Sequence, residues 1–195
     1  MRAKVHVMKV VRLHMYHLEA LLPRLTDLNV HVIYLVRDPR GTLKSRQNMM
    51  WCSHKANCSE VNSLCSEMRD DIRTFRRLQT TYPSKLTLLR YEDLSSDPST
   101  HAKAILKRTG IPYSASVHRF LRTHTNSTFS DISKRNPYTT IRNSKSVAFE
   151  WKQTLNMSDI LEVQKTCADV LQELNYSFIE DNTNSSIIAN QTQLN

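Results

Sequence analysis

Arg37 and Ser45 stand eight residues apart, on either side of a turn that holds Asp38, Pro39, Arg40, Gly41 and Thr42. An arginine offers a planar fork of donors that matches a phosphate, and a serine adds a hydroxyl donor. Residues 31–36, HVIYLV, run into this turn as a continuous apolar, β-branched stretch. That pattern reads as a buried parallel strand rather than a half-exposed one. Pro39 ends it, because proline has no amide to donate and restricts the residue before it. After Gly41 and Thr42, the residues Leu43, Lys44, Ser45 and Arg46 have helical composition. A strand, a tight turn and a helix start make an anion site, since amides at a helix N-terminus point outward and the dipole favours negative charge. Taken alone, Arg-Asp-Pro after a strand also fits a surface turn with an internal ion pair.

Other elements must position this turn. Residues 4–13, KVHVMKVVRL, read as a strand, and 15–23 as a helix with Met15, Leu18, Leu21 and Leu22 on one stripe. Strand, helix, strand then implies a right-handed parallel crossover into 31–36. The helix after Gly41 is expected to run to about Met50. Trp51 to Leu64 reads as a loop. Trp51 is read as core packing, with stacking on a sugar ring as the alternative. A helix over 66–81 turns Met68, Ile72, Phe75 and Leu78 inward, and 85–91 is the next strand. Asp97 and Pro98 look like the cap and first position of a helix that runs to Thr109 and stops at Gly110. A helix over 114–123 has Val117, Phe120 and Leu121 inward. From Thr125 to Arg142 the chain is a long polar loop carrying Lys134, Arg135 and Arg142. The last helix, 159–174 with Ser158 as its cap, places Ile160, Val163, Cys167, Val170, Leu171 and Leu174 on one face. Residues 181–195 are rich in Asn, Thr and Ser and read as a disordered tail.

The chain has 195 residues, the size of one domain. Net charge is +9, from 27 basic and 18 acidic residues, which suits an anionic partner. The basic residues are dispersed rather than gathered on one helix, so nucleic acid is not the expected partner. No apolar run is long enough for a transmembrane helix, and the first residues are not a signal peptide. Yet Asn-x-Ser/Thr sequons occur at Asn57, Asn126, Asn156, Asn175, Asn184 and Asn190, where chance gives roughly two or three. Cys52, Cys58, Cys65 and Cys167 lack the short pairs of a zinc site. Three pairings are open to them; Cys52–Cys58 with Cys65–Cys167 is the favoured one, and four free buried thiols would suit a reducing compartment. Sequons and cysteines point to the secretory route, so an N-terminal targeting part is expected outside this chain.

The string LVRDPRGTLKSR, residues 35–46, resembles the 3′-phosphate-binding segment of sulfotransferases that use 3′-phosphoadenosine 5′-phosphosulfate (PAPS). It is most similar to the Golgi carbohydrate sulfotransferases that act on the 6-hydroxyl of galactose, N-acetylgalactosamine or N-acetylglucosamine. By that resemblance Arg37 and Ser45 hold the 3′-phosphate. Asp38, Pro39, Arg40, Gly41, Thr42, Leu43, Lys44 and Arg46 complete the cofactor-binding segment. LRYEDLSSDP, residues 89–98, resembles a downstream segment of the same family. Its Glu92 and Asp93 are read as strand-end groups that orient loops and basic side chains, with a catalytic role as the alternative. SKSVAFEWKQTL, residues 144–155, resembles the stretch near the family's C-terminus where a basic loop closes over the nucleotide. This makes Arg142 a candidate nucleotide contact, with Lys134 and Arg135 facing cofactor or acidic glycan.

The resemblance implies an α/β fold, a parallel sheet flanked by helices of the P-loop-NTPase-like sulfotransferase kind, incomplete at its N-terminus. Residues 1–180 would be the C-terminal part of that domain, followed by the tail. It further implies transfer of a sulfuryl group from PAPS to a sugar hydroxyl, with PAP as product and no metal. The acceptor would be a glycan on a glycoprotein or proteoglycan. The complete form would be a type II protein of the Golgi lumen, touching membrane only through an anchor outside this chain. The family's Gly- and Ser-containing 5′-phosphosulfate loop is not found: the two glycines, Gly41 and Gly110, lie elsewhere. No general base is assigned, so a catalytically inactive module that binds PAP, PAPS or sulfated glycan is the alternative.

Overall fold

Two parallel strands carry the turn. In the computed structural model, which describes residues 4–11, 13–55, 57–126 and 140–180, β1 (Val32–Val36) pairs with β2 (Leu86–Arg90). The register sets Val32 opposite Leu86 and Val36 opposite Arg90. Parallel neighbours need a long connection. Here it is made by α2 (Pro39–Gln47), α3 (Met50–Ser53) and α4 (Val61–Thr81). Both strands therefore end at the same level, and Arg37 and Tyr91 leave the sheet side by side.

Two expectations about the sheet fail. The strand over 4–13 is not formed: among the described residues the sheet has only β1 and β2, and Val7 and Met8 stand 85% and 84% exposed. A β-branched run supplies propensity, but a strand also needs a neighbour for its amides and carbonyls. Nor is β1 buried on both faces. Val32, Tyr34 and Val36 turn to the core side, while Ile33 and Leu35 are 39% and 51% exposed. An unbroken apolar run cannot reveal which face stays open.

The helices follow their apolar stripes more closely. The first, α1 (Tyr16–Leu21), continues as a 3-10 turn (Leu22–Arg24) and buries Met15, Leu18 and Leu22, with Leu21 outside. These three pack with Phe75 and Leu78 of α4 and with Leu86. On its other flank α4 meets the helical segment 157–173 through Leu64, Cys65 and Ile72. After β2 come α5 (Tyr91–Ser96), α6 (Pro98–Arg108) and α7 (Ala115–Thr125). Asp97 caps α6 by accepting from the Thr100 amide at 3.0 Å, and Gly110 has the left-handed φ of +71° that a helix stop asks for. The inward face expected for α7 is absent. Phe120 is 54% exposed and no residue of α7 is buried; among the described residues its main helical neighbour is the equally exposed α6.

The last part holds α8 (Ser144–Phe149), α9 (Trp151–Thr154), α10 (Met157–Thr166) and α11 (Ala168–Glu173). The expected single helix over 159–174 is broken at Cys167, yet its inward set is as read: Ile160, Val163, Cys167, Val170, Leu171 and Leu174 are all buried. Cys167 is joined to Cys65, and Cys52 to Cys58. The first bond pins the α10–α11 joint to α4 across 102 residues of chain. A loop that long contributes about 4–5 kcal/mol in the chain-entropy account.

Candidate nucleotide site

Helix α2 starts three residues before the sequence suggests, at Pro39, a proline at the position where a missing amide costs nothing. Asp38 is its N-cap and accepts from the Arg40 amide at 2.9 Å. The helix start is thus closed by its own carboxylate, which leaves the grip on an anion to nearby side chains. Asp38 also receives Arg40 as a fork: Nε donates to Oδ1 at 2.9 Å and Nη2 to Oδ2 at 2.7 Å. Arg40 goes on to donate to the Gln164 side-chain oxygen at 2.7 Å and the Ser177 carbonyl at 2.9 Å. Its guanidinium lies 4.5 Å from the Trp151 ring centre. Asp38 and Arg40 are 3% and 2% exposed, so this is a buried pair whose hydrogen bonds are made. Arg40 faces inward, and all three of its nitrogens serve the fold.

Glu92 extends the same cluster. It accepts the Asp38 amide at 3.1 Å and the Tyr176 hydroxyl at 2.6 Å. Burial, then the Glu92 charge, push the Tyr176 hydroxyl far above the ordinary phenol range, so it stays a donor. Arg90 donates to the carbonyls of Leu174 and Asn175 and to Asp93. Glu92, and Asp93 through Arg90, therefore tie the strand ends to residues 174–176, in line with their structural reading. A cavity of about 130 Å³ lies among Asp38, Arg40, Arg90, Glu92, Trp151 and Tyr176.

Arg37 behaves differently. Its guanidinium lies over the Tyr91 ring at 4.9 Å, and its Nε is buried with no hydrogen-bond partner among the described residues. A Cβ on Gly41 would stand 3.1 Å from that Nε and 2.9 Å from Trp151 Cδ1. The arginine and the indole edge thus meet over the one residue of the turn without a side chain. Ser45 lies four residues beyond Gly41 in α2. Residues so spaced share a face, and the Cα–Cβ bond of the later one leans back toward the earlier. Ser45 is accordingly on the Gly41 face of the helix.

The other marked residues separate. Leu43 is a core residue, 2% exposed. The Thr42 hydroxyl donates to the Asp38 carbonyl at 3.1 Å. Arg46 turns to the disulfide loop, donating to the Cys58 carbonyl at 3.0 Å and to Glu67 at 3.2 Å. Lys44 is half-buried on α2. The Arg142 amide donates to the His124 carbonyl at 3.0 Å, and the residue sits just before α8, which packs on α5. Lys134 and Arg135 lie outside the described residues, as does the tail from 181. Trp51 is 37% exposed, not in the core. A larger hollow of about 650 Å³ lies between residues 14–16 and α4, lined by Asp70, Asp71, Arg73 and Arg77; it holds none of the sequence-marked residues. Sequence reasoning left Tyr91 and Trp151 without a role beside Arg37. The signal available for Tyr91 was its place at the end of the second strand, level with Arg37 at the end of the first.

A sulfotransferase domain matches residues 2–175. The chain belongs to the sulfotransferase family. Its α/β fold, helices around a parallel sheet, agrees with that membership. The chain is 29% identical to carbohydrate sulfotransferase 5 of Mus musculus over 87% of its own length and 47% of that protein. It is 30% identical to carbohydrate sulfotransferase 1 of Rattus norvegicus over 76% of its length and 39% of the relative. Carbohydrate sulfotransferase 6 of Homo sapiens is 27% identical over 87% and 47%. The chain spans about half the length of the curated relatives it matches. No solved structure matches it.

Proposed function

We propose that this sulfotransferase chain carries the 3′-phosphate grip of a PAPS-dependent carbohydrate sulfotransferase, one that sulfates a glycan hydroxyl, in particular the 6-hydroxyl of a sugar. The observation that carries the reading is Arg37: its guanidinium lies at the end of β1 over the Tyr91 ring, with no ion-pair partner among the described residues. PAPS supplies the sulfuryl group when bound. The residues of this chain hold the nucleotide end. Arg37 offers a phosphate the parallel donors of its fork, stiffened by the Tyr91 ring beneath it. Ser45 adds a hydroxyl from the helix. Grip at a distance from the reacting sulfur matters because transfer of this kind depends on positioning and on stabilising spread negative charge. The acceptor's general base is unassigned.

We place the complete protein in the Golgi lumen as a type II membrane glycoprotein. Among the described residues no helix is long and apolar enough to cross a membrane. The sequon asparagines Asn57, Asn126, Asn156 and Asn175 are all exposed, as glycosylation requires. The two disulfides suit the same oxidising route.

The test is calorimetric binding of PAP to the purified protein and to Arg37→Ala and Ser45→Ala variants, with sulfate transfer from labelled PAPS to a glycan panel measured in parallel. Arg37→Ala is expected to weaken PAP about 100-fold and Ser45→Ala about tenfold, the scale of two and one charge-assisted hydrogen bonds. Unchanged affinity in both removes these residues from the site. Binding without transfer to any acceptor would identify a nucleotide-binding module instead.

A further inference from the structure

We infer that α6 and α7 form a docking surface for a glycan chain that already bears sulfate, with Lys103, Lys107, Arg119 and Arg122 as its contacts. The inference rests on the proposed reading of the chain as a carbohydrate sulfotransferase and names the acceptor class it favours. Residues 98–125 contain five lysines and arginines and no aspartate or glutamate. These 28 residues therefore carry +5 of the chain's net +9. All five cations are exposed, and none of them forms an ion pair with a carboxylate among the described residues. Helix α4 is the contrast. Its Arg69, Arg73, Arg76 and Arg77 pair with Asp169, Asp70, Glu173 and Glu19. Like charges gathered without counter-charges repel one another and attract an anion.

The cations stand in rows. Lys103 and Lys107 are four residues apart on α6, and Arg119 and Arg122 three apart on α7, so each pair shares a helix face. Tyr113 joins the two rows: its ring lies 5.3 Å from Lys103 Nζ, and its hydroxyl is 3.3 Å from Nδ1 of His118, one turn before Arg122. Arg108 stands apart and donates to the Pro83 carbonyl at 3.3 Å. On α7 the apolar Val117, Phe120 and Leu121 lie on the side away from His118 and Arg122, so the cationic face is polar throughout and suits a hydrated polymer. Each helix has 11 residues, a length of about 16 Å, enough for more than one sugar of an extended chain. The surface also leads toward the nucleotide end. Helix α6 follows α5, which begins at Tyr91, and α7 returns to the same end: the Arg142 amide donates to the His124 carbonyl at 3.0 Å and the Ser144 hydroxyl to the Ser95 carbonyl of α5 at 2.8 Å. Each sulfuryl group transferred adds an anion to the polymer, so the product of one turnover is held better for the next.

The experiment titrates the protein with an oligosaccharide of alternating galactose and N-acetylglucosamine, sulfated or unsulfated, and separately with PAP. The wild type should bind the sulfated form about tenfold more tightly or better, a preference that rising salt removes. Changing Lys103, Lys107, Arg119 and Arg122 together to Gln should abolish the preference and leave PAP affinity unchanged. A control with Lys4, Lys9, Lys55 and Lys165 changed to Gln removes the same charge from other exposed positions and should keep the preference. Equal loss in both variants, or no preference in the wild type, overturns the inference and leaves the nucleotide grip standing. Double-stranded DNA or phosphatidylserine–phosphatidylcholine vesicles bound more tightly than the glycan through the same four residues also overturn it. A glycan preference that stands while the wild type fails to bind PAP overturns the nucleotide grip and not this surface. Lysine acetylation of the wild type decides the matter even if a variant fails to fold. The sulfated glycan should slow modification of Lys103 and Lys107 several-fold and leave Lys55 and Lys165 at their free rates, and unprotected Lys103 and Lys107 would overturn the inference.

Discussion

Arg37 and Arg40 lie three residues apart in one turn and live in opposite surroundings. Arg40 is 2% exposed, forked onto Asp38, hydrogen-bonded to Gln164 and Ser177, and stacked on Trp151. Arg37 has an aromatic platform in Tyr91 and a buried Nε with no partner. The divide is the helix cap. Asp38 closes α2 with its side chain turned into the helix, and Arg40, inside the first turn, is captured by it. Arg37 precedes the cap and leaves along the strand end. A buried guanidinium must be paired or the fold suffers. The structure thus spends one arginine on stability and keeps the other available for a ligand.

That contrast breaks first at Arg40. Arg40→Ala should cost about 3–5 kcal/mol of stability, read by urea unfolding, because Asp38 is left buried and unpaired. Arg40→Lys should recover little, since one ammonium cannot replace a fork serving Asp38, Gln164 and Ser177 together. Tyr176→Phe comes next. It strips a donor from buried Glu92, and the same measurement should show a loss of about 1–3 kcal/mol. Arg37→Ala should sharpen the comparison from the other side, with stability within about 0.5 kcal/mol of the parent while nucleotide affinity collapses. A stability loss at Arg37 as large as that at Arg40 would erase the distinction.

The smallest effect belongs to the opposite end of β1. Burial, and then the nearby Arg108 charge, hold His31 below its usual value of 6.5. The folded chain therefore takes up this proton less readily than the unfolded one. The contribution of His31 is full above about pH 6.5 and fades as the pH falls below it. His31→Gln should flatten a shallow loss of stability in that acid window, followed by thermal unfolding at several pH values. No flattening would show that His31 carries none of that slope.

How much of this was legible in the sequence differs by kind of signal. The faces of α4, α10 and α11 were, since Ile72, Phe75, Val163 and Val170 recur at helical spacing and all are buried. The two disulfides matched the favoured pairing, because Cys167 falls on the inward face. The stripe on α7 was equally regular and misled, since Val117, Phe120 and Leu121 have no opposing layer among the described residues. Residues 4–11 show the same failure for a strand. Composition says what a segment is able to bury, not whether anything stands opposite. Within the site, the turn was found from the order strand, arginine, proline, helix. Which arginine is structural was not legible, because it depends on Gln164 and Ser177, far away in sequence.

Arg40 reaches partners 124 and 137 residues further along the chain, and Cys65 bonds a residue 102 positions later. During synthesis on the ribosome, the turn after β1 emerges long before the segment that locks it. The guanidinium of Arg40 then waits in water until residue 177 has left the exit tunnel, so the pocket is among the last parts to set. Contacts this distant in sequence slow the search for the native state, which makes the nascent polypeptide dependent on whatever shields its half-built sheet in the meantime.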